Sequence, residues 1–74
     1  MAQLPPDGTW LMQMVDNDII LFHRHTEEEI LRVNCQDRDA IGKAQLVIHE
    51  SDRLTPEQKC FAHFWCGYFY GATT

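Results

Sequence analysis

Cys60, His63 and Cys66 stand three residues apart near one end of the chain. Thiolate and imidazole are ligands of zinc, and helical neighbours at this spacing can share a metal. Each step of three, however, falls about 60° short of a full helical turn, so Cys60 and Cys66 point roughly 120° apart. A site would need one of these pairs completed by Cys35, His23 or His25. Free cysteine also behaves as a small buried hydrophobe, and that packing role is the reading adopted here. No metal and no cofactor is therefore expected, with a zinc-stabilised module as the alternative. His23-Arg24-His25, with Asp16, Asp18 and Glu27 to Glu29 close in sequence, offers histidine beside carboxylates, the ingredients of acid–base chemistry. No serine or cysteine nucleophile is set against a base, and a strand-end histidine among solvated charges explains the same residues. No residue is assigned a catalytic role, and a small enzyme subunit is the remotest reading. The carboxylates at Asp16/Asp18, Glu27–Glu29, Asp37/Asp39 and Glu50/Asp52 fall at predicted turns and helix starts, where capping and solvation account for them. Imitation of a phosphate track by these groups is the less favoured account.

The elements that would position these residues must come from one domain of 74 residues. A chain of that size buries only about 60% of the surface its unfolded form exposes, so its core is thin. The apolar fraction of 45% is enough to fold. The odd count of three cysteines, with neither a basic start nor an apolar run in MAQLPPDGTW, points to reduced thiols and a cytoplasmic location. The longest apolar stretch, from Phe61 to Ala72, is interrupted by His63 and falls short of the ~20 residues a membrane span requires. Six scattered Lys and Arg against 11 Asp and Glu give a net charge of −5, which disfavours direct nucleic-acid binding.

Residues 56–71 predict the strongest helix. Thr55 is its N-cap, Pro56 suits the first turn, and Glu57 and Gln58 supply a charge for the dipole and a capping-box partner. Phe61, Phe64, Trp65 and Tyr68 recur at i, i+3, i+4, i+7, so these four rings are expected to form the face that fills the core. Phe69 and Tyr70 lie off that face. They either close over Leu4-Pro5-Pro6 or join a contact between molecules. His63, Gly67 and Gly71, spaced by four, form a stripe of two small residues and one histidine. Its simpler partner is the Ala40/Ala44 stripe of the preceding helix, the other being a second copy.

Before these helices the periodicity is two. Residues 1–9 form an extended lead-in, with Pro5-Pro6 stiff and Asp7-Gly8 a turn. Residues 10–24 form a β-hairpin about Asp16-Asn17-Asp18. Pairing Val15 with Ile19 puts Trp10, Met12, Met14, Ile20 and Phe22 on one face, and Leu11, Gln13, Val15, Ile19, Leu21 and His23 on the other. Residues 26–36 alternate, with Leu31, Val33 and Cys35 inward, and read as a third strand in preference to a short helix begun by Thr26-x-x-Glu29. Residues 38–51 form a helix capped by Asp37 or Asp39, with Ala40, Ile41, Ala44, Val47 and Ile48 as its stripe. On it, Gly42 offers room for a close neighbour.

The expected fold is α+β: a hairpin or three-stranded antiparallel meander, then two antiparallel helices packed on one sheet face. The expected function is that of a small acidic non-enzymatic protein–protein interaction module, a regulator or inhibitor of another protein, forming a homodimer. Apolar residues on both hairpin faces, together with Phe69, Tyr70, Gly67 and Gly71, motivate the self-contact.

Overall fold

The switch of period at Asp37 is the switch from sheet to helix. The computed structural model describes residues 2–5 and 7–73. Among these residues, four strands, β1 (Ala2–Leu4), β2 (Trp10–Val15), β3 (Asp18–His23) and β4 (Glu29–Asn34), precede two helices, α1 (Ala40–Glu50) and α2 (Pro56–Thr73). The strands form one antiparallel sheet in the order β1-β2-β3-β4. This is the expected α+β class with one strand more than expected.

The additional strand lies in the stretch read as a lead-in. Only three residues long and followed by proline, β1 carries too little alternation to be recognised. Gly8 folds it back onto β2, taking φ of 70°, a region glycine enters without strain. Its N–H donates to the Leu4 carbonyl at 3.0 Å, and the Thr9 N–H donates to Asp7 Oδ1 at 3.0 Å. Of the expected Pro5-Pro6 step, Pro6 lies outside the described residues, as do Met1 and Thr74.

The hairpin turn is two residues, Asp16-Asn17, rather than three. Asp16 takes φ of 58°, the left-handed region that two-residue hairpin turns demand of their first central residue. Asp18 thereby joins β3 and pairs with Val15, while Met14 pairs with Ile19 and Met12 with Leu21. The register expected from a Val15–Ile19 pair is one residue out, and a slip of one sends every side chain of a strand to the other face. Ile19, Leu21 and His23 thus share a face with Trp10, Met12 and Met14, whereas Ile20 and Phe22 lie with Leu11 and Gln13. The region read as strand or helix is strand, with Leu31 opposite Leu21 and Val33 opposite Ile19. A register shift between Leu21 and Phe22 brings Phe22 opposite Glu29.

Both helices pack on the same sheet face, α1 over β4 and α2 over β1, β2 and β3. The core between the layers is made of Leu4, Trp10, Met12, Ile19, Leu21 and Leu31 from the sheet, with Ala44, Ile48, Leu54, Ala62 and Cys66 from the helical side. The opposite sheet face exposes less apolar surface than its composition suggests, since Leu11 and Ile20 are buried. In α1, Ala40, Ala44 and Ile48 turn inward as expected, but Val47 is exposed. Asp39 occupies the N-cap position without a side-chain hydrogen bond. Asp37 instead stabilises that start: Oδ1 accepts the Asp39 N–H at 3.0 Å, and Oδ2 meets Lys43 Nζ at 2.7 Å. The expected close neighbour of Gly42 is absent, since a Cβ there would meet nothing within 4 Å.

Candidate interaction surface

The helix that carries the ring-rich stretch begins as its sequence dictates. The Gln58 N–H donates to Thr55 Oγ1 at 3.1 Å, and Gln58 Oε1 accepts the Thr55 N–H at 2.9 Å. This reciprocal capping box satisfies two amides that the first turn leaves without partners. It also explains why Gln58 can be buried: its side chain arrives with a partner.

From that fixed start, helical geometry decides which flank meets the sheet. The buried positions of α2 are Gln58, Ala62 and Cys66, with Phe69 partly buried beside them, a run of i, i+4, i+8, i+11. These side chains are mostly small because the sheet beneath supplies large ones, Leu4, Met12 and Leu21. A second layer of rings would overfill that space. The expectation that Phe61, Phe64, Trp65 and Tyr68 form the core face is therefore overturned. Phe61 is 41% exposed, Phe64 56% and Tyr68 60%, and only Trp65 packs partly against the core.

The side of α2 that faces α1 is a different one. Lys59 Nζ donates to the His49 carbonyl at 3.0 Å, and burial, with His49 and Lys59 nearby, holds the His63 imidazole below its usual pKa. At 100° per residue, the centre of the Phe61/Phe64/Tyr68 flank lies about 170° from Lys59 and about 130° from His63, so it faces away from α1. Trp65 connects it to the interior. Its ring centroid is 5.3 Å from Phe64, 5.5 Å from Tyr68 and 5.8 Å from Phe69, the first two edge-to-face. Such contacts contribute about 0.5–1.5 kcal/mol beyond area burial, which holds the exposed rings in place on the helix.

The small-residue stripe does not face α1. A Cβ at Gly67 or Gly71 would meet nothing within 4 Å, so the expected contact with Ala40 and Ala44 is not made, although His63 of the same stripe does turn toward α1.

The thiol and imidazole candidates are dispersed. Cys35 and Cys66 are buried, Cys60 is exposed on another side of α2, and all three are free thiols. Burial, with Cys35 nearby, pushes the Cys66 thiol up to about 11. Among the described residues, no three His, Cys, Asp or Glu side chains gather as a metal site would require, and no pocket opens. His23 serves its own loop: Nδ1 accepts the N–H groups of His25 at 3.1 Å and Thr26 at 3.2 Å. Its ring meets Trp10 edge-on at 5.0 Å, and the Arg53 guanidinium lies 5.4 Å over that Trp10 ring while pairing with Glu28. Glu29 and Asp18 also find local partners. Arg32 bridges Glu29 and Asp18, and Asn34 Nδ2 donates to Asp18 at 2.9 Å.

Sequence reasoning also passed over Leu46, an exposed apolar residue of α1. Its position outside the predicted stripe was the available signal. No helix among the described residues is long and apolar enough to cross a membrane. Searches among protein families, curated proteins and solved structures find no match to the chain.

Proposed function

We propose that this chain is a small acidic, non-enzymatic interaction module of the cytoplasm that regulates or inhibits another protein, and that it also pairs with itself. The observation that carries this reading is the exposed flank of α2, where Phe61, Phe64 and Tyr68 stand in solvent on a helix already anchored by its opposite side. Three rings at these exposures offer roughly 250–400 Å² of apolar surface, taking about 150–250 Å² for a whole ring side chain. That approaches the ~300–600 Å² of the largest apolar patch on a typical monomer, which is commonly a functional one. Aromatic side chains are also the usual anchors of protein interfaces. Free thiols at Cys35, Cys60 and Cys66 support a reducing compartment.

The test is affinity capture from the native host followed by reconstitution with the purified captured protein. Binding is expected to be lost in both Phe64→Asp and Tyr68→Asp and kept in Asp16→Asn, at the hairpin turn. Binding that survives both flank substitutions overturns the assignment of this surface.

A further inference from the structure

We infer that the α2 flank takes a second copy of this chain in an antiparallel, twofold helix pair centred between Phe64 and Trp65. This rests on the flank being a docking surface, and it names one occupant and its register. On a helix of 3.6 residues per turn, Glu57, Phe61, Phe64 and Tyr68 fall within about 60° of one another. Beyond Glu57 the only charged or titratable groups on α2 besides the Tyr and Cys side chains are Lys59 and His63, and both turn toward α1. The surface from Phe61 onward is thus neutral and aromatic in a chain of net charge −5. A partner without charge meets it at no desolvation cost, and the same flank of another copy is such a partner. The other carboxylates lie outside α2.

Orientation follows from Glu57. A parallel pair would set the two Glu57 carboxylates side by side and align the helix dipoles unfavourably. An antiparallel pair centred between Phe64 and Trp65 separates them by about 20 Å at 1.5 Å per residue, beyond the ~8 Å screening length at physiological salt. It places Phe61 of one copy against Tyr68 of the other and Phe64 against its counterpart. The area sets the strength. Roughly 250–400 Å² of ring surface per copy is less than the ~800 Å² each partner gives to a standard interface, so the pair is reversible rather than obligate.

Light scattering with sedimentation over a concentration series tests this on the full chain. The mass is expected to rise from that of the 8.7 kDa chain toward twice that value as concentration increases, and to rise earlier at high salt, which screens the net charge. Phe64→Asp and Tyr68→Asp should each weaken pairing about thirtyfold, the loss expected of an interface anchor. In a Cys60→Ser background, Phe64→Cys should oxidise to a covalent dimer under oxidised glutathione. Phe61→Cys and Tyr68→Cys should do so only when mixed, one thiol of each variant joining as glutathione is reduced. A monomer mass up to about 0.5 mM, or a dimer that both Asp variants leave intact, overturns the inference. A monomer whose capture of another protein is still lost in Phe64→Asp removes the second copy and leaves the docking surface standing. A monomer whose capture is unaffected removes both.

Discussion

Cys66 illustrates how a residue chosen for possible chemistry acts through its environment. It is buried against the sheet, and burial, with Cys35 nearby, raises its thiol from 9.0 to about 11. The folded state therefore holds the proton more tightly than the unfolded state. The stability associated with this is fully present below the unfolded value and is lost as pH rises from there through about 11. Two pH units correspond to on the order of 2–3 kcal/mol. Denaturant unfolding under reducing conditions should show that loss between about pH 8 and pH 11, and Cys66→Ala should flatten it. An identical alkaline slope in the variant would place its origin in other groups. The spacing of Cys60, His63 and Cys66 already implied that they diverge. Which of the three would be buried was not legible, because cysteine's size suits the inside of a helix and its polarity does not forbid the outside.

At the scale of the element, chemistry that acts within a few residues was readable and orientation was not. The Thr55-x-x-Gln58 box is a local signal, and both its hydrogen bonds form. Thr55→Ala should lower stability by about 1 kcal/mol in denaturant unfolding, the usual consequence of losing a cap. No change would mean that solvent or a neighbouring group satisfies the first-turn amides equally well. Periodicity, by contrast, identifies a stripe without saying which way it faces. In α2 two stripes coexist, the rings at Phe61, Phe64 and Tyr68 and the smaller residues at Gln58, Ala62 and Cys66. The sheet's own bulk selected the smaller set for the interior. The hairpin register was missed for a related reason. Asp16, Asn17 and Asp18 are all turn formers, and only the observed two-residue turn shows that Asp18 belongs to β3. The strand at Glu29–Asn34 was legible from alternation, since Leu31 and Val33 had to share a face and did.

At the scale of the whole molecule, 74 residues provide one sheet face and two helices to enclose a core. That core is filled by aliphatic, small and sulfur-containing side chains with Trp10, and it has no room for all six rings clustered between Phe61 and Tyr70. The surplus stands on the outer flank of α2, and the central claim is that this flank is a surface rather than part of the fold's interior. The stability of Phe64→Asp/Tyr68→Asp tests that claim most directly. A carboxylate forced into a core would abolish cooperative folding, because burying an unpaired charge costs many kcal/mol. The measurement is denaturant unfolding at low micromolar concentration, where any contribution from pairing is diluted out. The account predicts a cooperative transition with stability about 1–3 kcal/mol below the parent chain, the loss of the two edge-to-face contacts with Trp65 at about 0.5–1.5 kcal/mol each. A variant that fails to fold, or loses more than about 3 kcal/mol, would contradict it and return these rings to the core.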